Sequence, residues 1–216
     1  MNGITFVISA PSGTGKTTVC GRLLVQDPKL RFSVSHTTRA PRTGEVEGEN
    51  YHFVDESEFE RLKAEGAFLE SARYTGNLYG TSLGSVNDLL DAGFDVLLEI
   101  EVQGASLIRK SDFEAVFIFL LPPSMEILEQ RLRDRGTDSK SKIEQRLREG
   151  NPEIAMARIF DYAVINDDLD TAVGEVQQII RAEREAATRD VHARFGLEHV
   201  LEGWQSRARA PDAARD

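Results

Sequence analysis

The segment ISAPSGTGKTTV, Ile8 to Val19, sets Gly13, Gly15, Lys16 and Thr17 as the tail of the pattern A-x-x-x-x-G-K-[ST]. That spacing suits the binding of a nucleoside triphosphate. Gly13 and Gly15 tolerate the positive φ that turns successive backbone N–H groups inward. A helix starting near Lys16 adds its own unpaired N–H groups and the positive end of its dipole. Lys16 then reaches the β- and γ-phosphates, and the Thr17 hydroxyl is placed to ligate Mg²⁺. The first position, usually Gly, is Ala10, and Pro11 after it stiffens the loop through its fixed φ. An apolar run before the loop (ITFV) and apolar helical positions after it (Val19, Leu23, Leu24) set it apart from a chance turn.

Other residues suit phosphate or charge as well. Arg39 and Arg42 in TTRAPR, with Tyr51 and Tyr79, offer planar forks and neutral O–H donors for a second phosphate. A solvated loop explains the same residues. Arg131, Arg133 and Arg135 crowd RLRDRG, and Arg146 follows one helix later. Arg131 and Arg135, four apart, repel on one helix face unless a polyphosphate neutralises them, as arginines of a lid would be. The alternative is a salt-bridged face with Asp134, Asp138 and Glu144. Glu99 and Glu101 sit two apart at the C-terminal end of an expected central strand, where α/β sheets place ligands. There they hold Mg²⁺ through water or face a base. Glu70, in AFLES, taken alone reads as an exposed strand end.

No histidine, cysteine or serine constellation points to covalent catalysis, and His36, His52, His192 and His199 lack metal-ligand spacing. A phosphate monoester needs no base to become a nucleophile, because its second pKa is about 6.

Alternating apolar runs and helical patterns must position these groups. ITFVIS (from Ile4), FDVLLEIEV (from Phe94), AVFIFLL (from Ala115) and YAVIN (from Tyr162) are expected strands, apolar throughout as in a parallel sheet buried on both faces. Helices are expected over Lys16–Gln26, Gly84–Asp91, Ser124–Arg135, Lys142–Ile159 and Leu169–Ala187. This is the rhythm of a doubly wound α/β core. Residues from about Phe32 to Gly80 interrupt it and read as a small mixed insertion. RGTDSKSK is an irregular stretch between helices, and the chain from about Thr188 reads as a frayed tail.

At 216 residues, with 40% hydrophobic and 29% charged residues, the chain buries one good core with small inserted subdomains. A net charge of −10 argues against a nucleic-acid partner. The one cysteine, Cys20, cannot form an internal disulfide and reads as a small buried thiol. The longest apolar run, Ala115 to Leu121, is far too short to span a membrane, and no targeting segment stands out. A cytoplasmic home and no membrane partner are expected.

From SVSHTTRAPRTGEVEGENYHFV the sequence closely resembles the guanylate kinase family. The likeness continues through FLESARYTGNLYGTS, LLEIEVQGA, FIFLLPPS, RLRDRGTDS and VINDDLD, from the phosphate loop to about residue 185. It implies transfer of the γ-phosphoryl of ATP to GMP with Mg²⁺, a step in recycling GMP. It also implies a P-loop NTPase-type α/β core, a small mixed α/β monophosphate-binding insertion and a helical lid. On that division the core takes residues 1–31, 82–125 and 160–187, the GMP-binding insertion 32–81, the lid 126–159 and the tail 188–216. The resemblance implies that Ala10, Pro11, Ser12, Gly13, Thr14, Gly15, Lys16, Thr17, Thr18, Arg131, Arg135 and Asn166 bind ATP. Ser35, Arg39, Arg42, Tyr51, Tyr79 and Thr81 would surround GMP, with Glu70 and Glu101 reading the guanine. Lys16, Arg39, Arg135 and Arg146 would be catalytic, and Thr17 and Glu99 would hold Mg²⁺. Asp is common in this family where Glu99 and Glu101 stand, which leaves their division between metal and guanine open. Whether the chain acts alone or as a homo-oligomer is not legible in the sequence. Two competing functions fit parts of the pattern: a non-catalytic peptide-binding module, whose phosphate loop is typically degraded, and a kinase of the same fold acting on another acceptor.

Overall fold

The computed structural model describes residues 3–74, 76–134 and 140–209. In chain order the first half runs β1 (Thr5–Ser9), α1 (Lys16–Gln26), β2 (Leu30–Phe32), β3 (Ser35–Thr37), β4 (His52–Phe53), α2 (Glu56–Ala64), β5 (Phe68–Tyr74), β6 (Asn77–Ser82) and α3 (Leu83–Asp91). The second half runs β7 (Asp95–Glu99), α4 (Val102–Lys110), β8 (Val116–Leu121), α5 (Met125–Asp134), α6 (Lys140–Ala155), a 3₁₀ turn (Met156–Ile159), β9 (Tyr162–Ile165), α7 (Leu169–Arg184), α8 (Arg189–Phe195) and α9 (Leu197–Arg209).

The apolar runs pair as one parallel sheet in the order β2-β7-β1-β8-β9. Strand periodicity then divides their side chains between two cores. Phe6, Ile8, Leu97, Ile118, Leu120 and Val164 pack with Val19 and Leu23 of α1 and Val173, Val176 and Ile180 of α7. Val7, Val96, Leu98, Phe117, Phe119 and Leu121 pack with α4 residues Val102, Ala105 and Ile108, and with Leu201 and Trp204 of α9. This is the expected P-loop NTPase-type core, a parallel sheet with helices on both faces. A second, mixed sheet, β4-β3-β6-β5, is built between Ser35 and Ser82, with β3 and β5 antiparallel to β6.

Three details depart from the sequence expectation. The strand begun at Phe94 was expected to carry both acids. It ends at Glu99, and Glu101 has extended φ/ψ (−75°, 158°) as the residue capping the start of α4. The helix expected through Ile159 ends at Ala155 and tightens into the 3₁₀ turn; it contains Pro152, which lacks an N–H and crowds the preceding turn. The tail expected to fray is helical through Arg209. Phe195, Leu197, Leu201 and Trp204 are each under 8% exposed, and this burial outweighs the polar ending that suggested fraying. None of the described helices is long and apolar enough to cross a membrane.

Candidate active site

The loop between β1 and α1 depends on its two glycines. Gly13 has φ +96° and Gly15 φ +103°, conformations that L side chains rarely adopt. Space forbids a side chain as well. A Cβ on Gly13 would stand 2.8 Å from Leu132 Cδ2, and one on Gly15 would stand 2.6 Å from Asn166 Nδ2. The loop is therefore pressed between α5 and the end of β9. Asn166 Nδ2 donates to Thr14 O at 2.6 Å. Arg131 donates from Nη1 to Asn166 O at 2.9 Å and to Thr14 O at 3.4 Å, and from Nη2 to Asp167 O at 3.2 Å. These bonds pin the loop at the Thr14 carbonyl, and Pro11, Ser12, Gly13, Gly15, Lys16 and Thr17 line the cleft.

Lys16 leaves the first turn of α1 and crosses to the end of β7. Its Nζ donates to Ile100 O at 3.0 Å and to Glu101 Oε1 at 3.2 Å. Burial acts to strip its proton, but Glu101 and Glu99 outweigh that effect, and its pKa lies above the ordinary lysine value. Lys16 is a cation ready for phosphate oxygens. Beside it the Thr17 hydroxyl donates to Glu99 Oε1 at 2.5 Å. This hydroxyl and carboxylate are two hard oxygens on one side of the loop. Such a pair fits Mg²⁺, which takes one or two protein oxygens and completes its shell with phosphates and water. No larger set of acids, histidines or cysteines that could hold a metal exists among the described residues.

The second sheet supplies the opposite wall. The Arg39 fork engages Glu45 bidentately, at 2.8 and 3.0 Å, and Glu45 Oε2 also accepts from the Arg42 backbone N–H at 2.7 Å. The hydrogen bond that Arg39 donates to Glu45 raises the Arg39 pKa, against the opposing effect of burial. Tyr51 and Tyr79 meet edge to face, with ring centroids 6.1 Å apart, and Arg39 lies over the Tyr51 ring. Burial first, then Tyr79 and Glu99, pushes up the pKa of Tyr51, which keeps its O–H as a donor.

Glu70 is 7% exposed, not the exposed strand end that AFLES alone suggested. Its Oε1 accepts from Thr81 Oγ1 at 2.7 Å, and burial, partly offset by Thr81, pushes its pKa up. Gly104, in the first turn of α4, makes room for it: a Cβ there would stand 2.7 Å from Glu70 Oε2.

These walls enclose one cleft of about 560 Å³. Of the expected site residues it brings together Ala10, Pro11, Ser12, Gly13, Gly15, Lys16, Thr17, Thr18, Ser35, Arg39, Arg42, Tyr51, Glu70, Tyr79, Glu99, Glu101 and Arg146. Thr14, Thr81, Arg131 and Asn166 stand behind that wall: Thr81 braces Glu70, and Arg131 and Asn166 brace the loop at Thr14. Arg135, with Asp138, lies outside the described residues. Sequence reasoning missed Glu45 and Gly104. The loop TRAPRTGE gave a signal for Glu45, since an acid among arginines marks where a fork is held. Gly104 gave no signal, because no helix was expected over Val102–Lys110.

A family model described as guanylate kinase matches residues 2–183. The guanylate kinase of Neisseria gonorrhoeae is 54% identical over 180 residues, covering 83% of this chain and 88% of that protein. The guanylate kinase of Nitratidesulfovibrio vulgaris is 46% identical over 203 residues, covering 94% and 97%. The crystal structure of guanylate kinase from Anaplasma phagocytophilum superposes with a TM-score of 0.68 at 37% identity, covering 84% of this chain and 86% of that one.

Proposed function

The chain belongs to the guanylate kinase family, and from that premise we propose that it moves the γ-phosphoryl of ATP directly onto GMP, giving ADP and GDP. The observation that carries this reading is the cleft that unites the phosphate loop and its Lys16 ammonium with the Arg39 fork and the buried Glu70. Lys16 exchanges its bonds to Ile100 and Glu101 for β- and γ-phosphate oxygens. Arg39 exchanges Glu45 for the GMP phosphate, whose two oxygens match the fork as the carboxylate does. Arg42, Tyr51 and Tyr79 add donors to the same phosphate, and Ser35 lies on the same wall.

Glu70 accepts from guanine N1–H and N2–H₂, with Glu101 beside it at the mouth of α4. Thr17 and Glu99 would hold Mg²⁺, which when bound would supply charge neutralisation for the transferred phosphate. Holding two phosphates in line and neutralising them accounts for the chemistry without a protein nucleophile. Arg146 and Arg135 serve the transferred group from the lid. The division into core (1–31, 82–125, 160–187), GMP-binding insertion (32–81) and lid (126–159) belongs to the same proposal. So does a cytoplasmic home, which a single cysteine with no disulfide partner supports.

The test is turnover of Mg–ATP with GMP, AMP, CMP, UMP and no acceptor. ADP formed in step with GDP, and little with the other acceptors, supports the proposal. Equal turnover with AMP, or none with GMP, refutes it.

A further inference from the structure

The C-terminal helices, beyond the stretch that carries the family resemblance, meet the core at the base of α5. β8 ends at Leu121, and Pro122–Pro123–Ser124 leads into α5. Neither proline donates a backbone hydrogen bond, so sheet pairing cannot continue there. The Pro122 carbonyl accepts instead from Trp204 Nε1 at 2.6 Å, in a buried contact. The other end of the same helix pair is fixed to β9: Leu197 N donates to Asp161 O at 3.1 Å, and Gly196 bridges Tyr162. α9 therefore spans from β9 to the root of α5. The α5 helix in turn bears directly on the phosphate loop. Leu132 and Leu128 close over Gly13, and Arg131 holds Thr14 O, Asn166 O and Asp167 O.

We propose that Trp204 is a positioning residue for the triphosphate side of the site, acting through Pro122 and α5 on the Thr14 carbonyl and the loop around it. Its indole N–H fixes where α5 starts, and that start fixes where Arg131 and Leu132 meet the loop. None of the hydrogen bonds along this path involves the second sheet. Loss of the indole donor therefore weakens ATP binding and leaves GMP binding unchanged. The choice of ATP as the affected substrate rests on the function proposed above.

Trp204→Phe keeps an aromatic ring and leaves Pro122 O unpaired. The full-length variant should raise KM for ATP by about threefold to tenfold, the scale of one unpaired buried carbonyl, with KM for GMP unchanged. Backbone hydrogen exchange in 124–134 should quicken by a similar factor, while β1 and β7 exchange as in the wild type. Exchange that quickens everywhere, or KM values that rise together, would mean a merely structural role and overturn the proposal.

The wild type provides a second measurement if the variant does not fold. The chain has one tryptophan, so a nitrogen-labelled sample gives a single indole N–H resonance. A non-hydrolysable ATP analogue with Mg²⁺ should shift it and GMP alone should not. An indole resonance indifferent to the analogue overturns the proposal. Exchange needs no turnover, so a chain that phosphorylated nothing yet showed the local exchange change in 124–134 would retain the brace and lose only the proposed reaction.

Discussion

Glu101 Oε1 stands 3.2 Å from Lys16 Nζ, so a carboxylate at the mouth of α4 and the ammonium of the phosphate loop share one contact across the floor of the cleft. Lys16 is 12% exposed and Glu101 36%. The lysine is thus held near its working position by a partner that solvent can readily take over. In the proposed reaction, phosphate oxygens would displace Glu101 without leaving a buried charge unpaired.

Lys16→Met keeps the stem of the side chain and removes its charge. Glu101 is open enough to be solvated alone, so thermal stability should change little. kcat with ATP and GMP should fall by roughly two orders of magnitude or more, the scale of one lost electrostatic stabiliser. Circular dichroism and steady-state kinetics check the two halves together; a folded variant with near-normal kcat removes Lys16 from the reaction.

Glu70→Gln should trade specificity for stability. Burial raises the Glu70 pKa above its ordinary 4.5, so the folded chain binds its proton more tightly than the unfolded chain does. Ionising Glu70 therefore works against folding. That cost is absent below pH 4.5 and grows as pH rises toward the folded value. Gln carries no charge and still accepts from Thr81, so the variant should melt higher than the wild type at neutral pH, with the gap closing in acid. Its kcat/KM for GMP should fall by about 2–4 kcal/mol, because one acceptor facing guanine becomes a donor, while AMP loses little. Melting curves across pH, with both acceptors assayed, test this. An unchanged preference for GMP over AMP means that Glu70 does not read the base.

Gly104→Ala should strike the same carboxylate from behind. The added methyl group would stand 2.7 Å from Glu70 Oε2 in the wild-type geometry, so the carboxylate must move. Alanine is the better helix former, and helicity should be retained. KM for GMP should rise by about tenfold, the cost of one misplaced charged hydrogen bond, with KM for ATP unchanged. Equal changes in both would place the strain elsewhere.

Much of this site is legible in the sequence because its chemistry is local. A glycine pair, a lysine and a threonine at fixed spacing dictate a loop whatever the rest of the chain does. The apolar runs likewise dictate a buried parallel sheet. The remainder depends on contacts between distant segments. Glu70 looks like a strand-end acid until Thr81 and Gly104 are brought against it. Asn166 and Arg131 were expected beside ATP, and their bracing of the loop from behind shows only when the Thr14 carbonyl lies against them. Trp204 is a different case: Phe195, Leu197, Val200, Leu201 and Trp204 recur at helical spacing. That signal lies within the sequence and is masked by the polar residues that follow.

The most direct test of the central claim follows the phosphoryl group itself. The chain is incubated with GMP and ATP labelled in its γ-phosphate, and nucleotides and protein are separated. Direct transfer across the cleft predicts label in the β-phosphate of GDP, equal in amount to the ADP formed, and none on the protein. Label appearing as inorganic phosphate at the rate of ADP formation, or retained on the protein when GMP is withheld, would contradict it.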